Sequence, residues 1–278
     1  TRFYLFAISV PFILLNDSCT EYGPTIDLTQ KNYDTYVEAA ETPQDRIVVI
    51  EDFTGAACVN CPSAHEAIAE IISLYPENVI AIADYNFTSD PLYLDQNFWT
   101  QTAKSLGEYL GQTSWPASII DRVDFENDNS LVEVPNNLMS YTEEELLKVT
   151  SCNIYCDPVY DNASRNLLLT VTIKYREEIS TPNHISVFLV ENGIIAAQST
   201  QLGEVPDYVH NHVMRTMLTY YSGDALPEQN VAGRVYVFLY SFTIPENWNA
   251  DNMQAVAFVH NFETDNKEIL QAAIADIN

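Results

Sequence analysis

The sequence predicts an α/β unit followed by an all-β unit. Three observations carry this. Between Arg46 and Val149, short β-branched runs alternate with helical patterns. From Ser151 onward, strand-like runs follow one another with no helical pattern between them. A Cys58-Val59-Asn60-Cys61 pair falls where the first strand gives way to the first helix.

The elements follow in order. Arg46 to Glu51 is a short apolar run of the kind a buried strand needs. Pro62 to Tyr75 reads as a helix, because proline suits a first helical turn whose N–H has no partner. Ala64, Ile68, Ile71, Ile72 and Tyr75 then share one face. Val79 to Asp84 is a second buried strand. Asp95 to Leu110 is a second helix closed by Gly111, and Ala117 to Asp121 a third strand. Asp124 to Pro135 is an acidic loop or hairpin, and Asn136 to Val149 holds a last helix with Glu143, Glu144 and Glu145 near its start. The later runs are Asn153–Tyr155, Leu167–Tyr175, Ile185–Glu191, Val209–Leu218, Arg234–Ile244, Ala255–Asn261 and Ile269–Ile277. Leu167, Leu169, Val171 and Ile173 alternate with Leu168, Thr170, Thr172 and Lys174, as in a strand with one buried face. Asn192-Gly193 is a hairpin signal. Runs at this spacing predict a β-sandwich over 151–278.

The chain opens with Arg2 and a nearly unbroken apolar run from Phe3 to Leu15, too short to span a bilayer. Residues 1–18 therefore read as a signal peptide. Ser18-Cys19 just after it resembles a lipoprotein box, which makes Cys19 the lipidated residue and 19–45 a tether with a short strand at Thr25 to Leu28. Twelve Lys and Arg stand against 39 Asp and Glu, a net charge of −27. Such a surface repels phosphate backbones, so nucleic acid is excluded as a partner. Cations and basic partners are favoured. No cofactor is expected.

The spacing of Cys58 and Cys61 carries chemistry. A helix N-terminus favours thiolate at the first cysteine, and the second lies one turn in, close enough to close a small disulfide. Cys58 would attack a partner disulfide and Cys61 would resolve the mixed species. These residues resemble the thioredoxin superfamily. Asp52, six residues before Cys58, occupies the place of that family's buried carboxylate. Pro116, in the stretch Thr113 to Ile120, matches its cis-proline. Ala57 and Asn60 depart from the usual Trp and Pro, two positions that tune redox poise and partner choice.

A wider resemblance rests on residues 49–65, on Tyr208 to Arg215, and on Ile244 to Asn249 with Val256 to Asn261. These stretches are similar to the Omp28-related proteins of Bacteroidetes. That resemblance implies an outer-membrane lipoprotein, a thioredoxin-like domain over 46–150 followed by an immunoglobulin-like sandwich, and an adhesin or receptor role.

Other candidates have plainer alternatives. His65 lies one turn after Cys61, so Cys58, Cys61 and His65 could ligate zinc or copper, or His65 could be a helix histidine that perturbs the thiols. His210 and His212 would point to one side of a strand, as a metal pair or, as favoured here, a structural pair beside Arg215. Asp124, Glu126, Asp128 and Ser130 alternate as calcium ligands do, but without the turn glycine or the final glutamate, which favours a solvated acidic loop. Cys152 and Cys156 would be about 13 Å apart in an extended strand, too far for a disulfide. They are buried thiols, unless the chain turns at Asp157-Pro158 and bridges them.

Three functions are consistent with these residues. The first is an outer-membrane-anchored surface lipoprotein acting as scaffold, adhesin or binding subunit, with Cys58–Cys61 a structural disulfide. The second is an envelope thiol–disulfide oxidoreductase using Cys58, Cys61, Asp52 and Pro116. The third is a metallochaperone. The expected partners are other envelope proteins, and the membrane through Cys19.

Overall fold

The computed structural model describes residues 33–87, 98–126, 128, 130–133 and 135–278. The signal peptide, Cys19, the strand at Thr25 to Leu28 and the start of the helix at Asp95 lie outside the described residues. Among the described residues the protein is mostly β-sheet with few helices. The strands are β1 (Tyr33–Val37), β2 (Val48–Thr54), β3 (Val79–Tyr85), β4 (Ala117–Ile120), β5 (Cys152–Asp161), β6 (Asn166–Tyr175), β7 (Asn183–Glu191), β8 (Ile194–Thr200), β9 (Gly203–His210), β10 (Val213–Met217), β11 (Asp224–Ala225), β12 (Arg234–Thr243), β13 (Met253–Asn261) and β14 (Ile269–Asp276). The α-helices are α1 (Cys61–Leu74), α2 (Gln101–Tyr109) and α3 (Leu138–Leu146).

The large sheet runs β14-β13-β7-β10-β3-β2-β4, with β11 beside β7. Strands from both sequence regions therefore share it. The junction is short: β10 meets β3 in parallel at Val213 and Ala83, and Ala83 N–H donates to His212 O at 2.8 Å. The start of β14 reaches the segments flanking β2 and β4: Ile269 N–H donates to Asp121 O at 2.8 Å, and Arg46 Nη2 donates to Ile269 O at 2.8 Å. A second sheet, β1-β12-β6-β5, covers one end, and β8 and β9 form a separate hairpin.

Period-two alternation explains the layers. Val49, Phe53, Ile80, Ile82, Phe188, Val190, Val256 and Phe258 share one face of the large sheet, where Ala103 and Leu106 of α2 pack. On the opposite face, Ile68 and Ile71 of α1 and Leu138 of α3 cover Val48, Ile50 and Ala81. Further along that face, Leu169, Val171, Tyr236 and Phe238 of the second sheet cover Val187, Leu189, Ala255 and Ala257. Between these two coverings lie Ala83, Tyr85 and Val213, roofed by Ile194 and Ala196 of the hairpin.

The core also holds charge. Arg122 donates to both oxygens of Glu51, at 2.8 and 2.7 Å, with its guanidinium 4.9 Å over the Phe258 ring. Asp84 is buried nearby, and neither of its oxygens has a hydrogen-bond partner among the described residues. Burial pushes its carboxyl well above the usual range.

The structure corrects several expectations. The tether does not extend to residue 45. β1 pairs antiparallel with β12, and Gln44 bonds Asn153 and Ile154 of β5. The run Val209–Leu218 is two strands, broken at Asn211-His212, where His212 adopts a φ of 57°. The Asn192-Gly193 turn exists, with Gly193 at φ 69°, but the strands it joins do not pair: β7 pairs with β10 and β13, and β8 with β9. β8 and β9 were absent from the sequence expectation, because strands exposed on their outer side show no core-driven alternation.

Candidate functional site

β2 ends at Thr54, and the chain makes a tight turn before α1. Cys58 N–H donates to Gly55 O at 3.0 Å, and Cys61 N–H to Cys58 O at 3.3 Å. Pro62 fills the first helical turn, as its sequence position predicts. Cys58 and Cys61 are joined as a disulfide with Cα atoms 5.4 Å apart. Both are buried, Cys58 with 5 % of its surface exposed and Cys61 with none. Trp115-Pro116 is a cis peptide, and Pro116 lies just before β4, opposite Thr54 by the register of β4 on β2.

The hairpin of β8 and β9 covers this turn. Gln198, fully buried, donates from Nε2 to Gly55 O at 3.2 Å and to Cys58 O at 3.1 Å. Ser199 N–H donates to Ala56 O at 2.7 Å, and Gln201 Nε2 to Asn60 Oδ1 at 2.9 Å. The backbone on the outer side of the disulfide is thus already paired.

Beneath the disulfide turn lies Asp52, 1 % exposed. Ser118 Oγ donates to Asp52 Oδ1 at 3.0 Å, while Oδ2 has no hydrogen-bond partner among the described residues. Burial pushes this carboxyl up to about 7. His65 Nε2 stands 3.5 Å from Asp52 Oδ2 but bonds Thr54 Oγ1 at 2.8 Å. The other ring nitrogen, Nδ1, bonds Tyr208 Oη at 2.9 Å. Tyr85 Oη pairs with His210 Nδ1 at 2.7 Å.

These side chains wall a cleft of ≈ 190 Å³ between α1, β3 and the end of β9. Its lining includes Asp52, His65, Glu66, Tyr85, Tyr208, His210 and His212. Burial lowers His65, His210 and His212 to about 4 each, so all three imidazoles are neutral at pH 7.

The structure therefore brings Asp52, Cys58, Cys61 and His65 to one place and puts His210 and His212 on the neighbouring cleft. It does not make a metal centre of them: among the described residues no three His, Cys, Asp or Glu converge to hold an ion. With both sulfurs in the disulfide, the trio of Cys58, Cys61 and His65 has no thiolate to offer. His210 and His212 are not a same-side strand pair, since His212 sits in a left-handed turn. Arg215 instead pairs with Glu191 and lies over Trp248. In the acidic loop, Asp124 and Asp128 accept the loop's own N–H groups from Asp128 and Ser130. Cys152 and Cys156 are both thiols, pushed up to about 12 by burial.

Sequence reasoning missed Gln198, Tyr85 and the role of Tyr208. Gln198 had no local signal. Tyr208 stands at the head of the Tyr208 to Arg215 stretch and could have been paired with the histidines it precedes.

No curated protein sequence matches the chain. Among solved structures, HBP35 of Porphyromonas gingivalis is similar in fold, with a TM-score of 0.70, 21 % identity, and coverage of 85 % of this chain and 77 % of that one. A domain of the outer membrane lipoprotein Omp28 from Porphyromonas gingivalis aligns with 47 % of this chain and 91 % of that one at 18 % identity, with a TM-score of 0.32. The outer membrane protein Omp28 family matches residues 103–277, a span that begins after the Cys58–Cys61 turn and covers the β8–β9 hairpin and every later strand. That span is more than half of the 278 residues, and the chain belongs to the Omp28 family of outer membrane proteins.

Proposed function

We propose that the chain is a lipid-anchored outer-membrane protein that works by binding, as a scaffold or adhesin subunit, and that Cys58–Cys61 is a structural clasp. One observation carries this reading. Gln198 and Ser199 already occupy the carbonyls of Gly55, Ala56 and Cys58, so the backbone of the disulfide turn is bonded to the protein's own hairpin instead of standing open to a partner. On this reading the β2-α1-β3 unit is a thioredoxin-like frame with its partner face closed, and the two facing sheets form an immunoglobulin-like sandwich that supplies the binding surface. Family membership supports the outer-membrane site. Cys19 after its apolar run supports the anchor.

The test is redox function. The clasp reading expects a reduction potential well below the glutathione range, no catalysis of insulin reduction, and no mixed disulfide trapped by Cys61→Ser in an envelope extract. Catalysed reduction with a trapped partner overturns it. The anchor is tested by mass spectrometry of the mature N-terminus, where an unmodified Cys19 removes it.

A second reading, thiol–disulfide exchange with a partner protein, is favoured by Asp52. A buried carboxyl titrating at about 7 is suited to take the proton from Cys61 as that thiol displaces the partner. The same trapping experiment decides between the two.

A further inference from the structure

The cleft beside the disulfide is built for a ligand of one polarity. Its polar lining is two carboxylates, Asp52 and Glu66, with Asn211, two tyrosines and three histidines, and no lysine or arginine. One polar atom in its wall, Asp52 Oδ2, has no hydrogen-bond partner among the described residues, and Asp52 is only 1 % exposed. Buried polar atoms are nearly always paired, and an orphaned one marks a place where something else binds. We propose that this cleft binds a small organic cation, an ammonium group carried on a short apolar body.

The chemistry of the lining selects that class. Asp52 Oδ2 accepts one N–H of the ammonium. The three imidazoles are neutral at pH 7, so none of them opposes the incoming charge. Ile68, Ala81 and Ala83 supply an apolar floor, and the rings of Tyr85 and Tyr208 offer π faces to the cation. Glu66, exposed on α1, draws the cation to the mouth, and the net charge of −27 raises its local concentration. An anion would meet two carboxylates. A neutral alcohol of the same shape would forfeit the charge-assisted bonds. The volume is below that of pockets for drug-sized molecules, so the ligand is small. His212, held at φ 57° with its N–H bonded to Asn192 Oδ1 at 2.8 Å, is a strained residue in the cleft wall, as binding sites often keep.

Binding carries a proton signature. Asp52 faces Ser118 from β4, His65 from α1, Tyr85 of β3 and Tyr208 of β9, with Thr54 on its own strand. None of these is a cation at pH 7. An ammonium beside Asp52 favours the carboxylate, so a carboxyl that burial raises to about 7 loses proton occupancy as the ligand enters.

The experiment is calorimetric titration of the oxidised full chain with phenethylammonium chloride, beside 2-phenylethanol and phenylacetate. The expected result is saturable one-to-one binding of the amine, at least tenfold tighter than either isostere, with heats at pH 7 that depend on the buffer's ionisation enthalpy. Asp52→Asn is expected to weaken the amine at least tenfold and to abolish the buffer dependence. Ala69→Phe, on the exposed lip of α1, blocks the cleft and leaves every polar group in place, so it abolishes binding while circular dichroism and melting stay as in the parent. No saturable binding up to about 10 mM, equal binding of the alcohol, or unchanged binding in Ala69→Phe overturns the proposal. The disulfide stays closed throughout, so the outcome is separate from whether Cys58 and Cys61 ever cycle.

Discussion

Replacing Gln198 with alanine should speed reduction of the Cys58–Cys61 disulfide by one to two powers of ten. The Gln198 amide reaches three carbonyls, of Gly55, Cys58 and Ser199, at 3.0 to 3.2 Å. Its two hydrogens make two good bonds' worth of interaction, and at about 0.5–1.5 kcal/mol net per bond the loss is roughly 1–3 kcal/mol. Removing Gln198 Oε1, which is buried without a hydrogen-bond partner among the described residues, returns part of that. A loss near 2 kcal/mol raises the population of the opened hairpin about thirtyfold. The hairpin is largely exposed on its outer side, so this opening is local and leaves the two sheets intact. The assay is reduction by a small phosphine under pseudo-first-order conditions, quenched by alkylation and read by mass. If the variant melts like the parent and its disulfide reduces within twofold of the parent rate, the hairpin does not guard the disulfide and the argument from Gln198 fails.

Other outcomes follow from the same structure. Arg122→Met strands Glu51 in the core and should cost about 3–5 kcal/mol in chemical denaturation, most of it restored by adding Glu51→Leu. Removing both Cys58 and Cys61 as alanines should cost only about 2 kcal/mol, because the disulfide closes a very short loop. A larger loss would mean that the clasp organises more than its own turn. His212 is lowered to about 4 in the fold, so the unfolded chain binds its proton first as pH falls. Stability is therefore present above the unfolded value of 6.5 and is lost between 6.5 and about 4. His212→Asn, which tolerates the left-handed φ, should flatten that slope by roughly 1–3 kcal/mol across the window. For Asp52 the sign is opposite. Its folded value is raised from 3.8 to about 7, so its burial is without cost below 3.8 and increasingly costly up to 7. Asp52→Asn should gain stability relative to the parent at pH 7 but not at pH 3.5, as read by paired denaturant titrations.

What could be read from residues alone was what local physics determines. The apolar runs over β2 and β3, the proline at the start of α1 and the alternation of Leu167, Leu169, Val171 and Ile173 each reflect burial on a nearby face. Asp52, Cys58 and Cys61 were legible as a group because one strand–turn–helix unit fixes their spacing, whereas Pro116 was read from a family resemblance. What was not legible depends on distant chain. Nothing near Ala83 announces that its N–H will find the His212 carbonyl, and nothing near Gln198 announces the Cys58 carbonyl, 140 residues away. β1 was hidden because Tyr33, Tyr36 and Val37 show no regular alternation in a polar stretch otherwise like a tether. The break at Asn211-His212 was hidden by strong strand formers on both sides.

The sheet order also bears on how the chain is made. β3 lies against β10, whose residues come more than 125 positions later, and the sheet meets itself only when Ile269 reaches Asp121. A chain emerging from a translocon N-terminus first has Tyr85 and Ala83 bare until residue 213 has crossed. The Cys58–Cys61 turn meanwhile waits for a hairpin still to be delivered. The cover over that turn therefore comes from chain made about 140 residues later than Cys58.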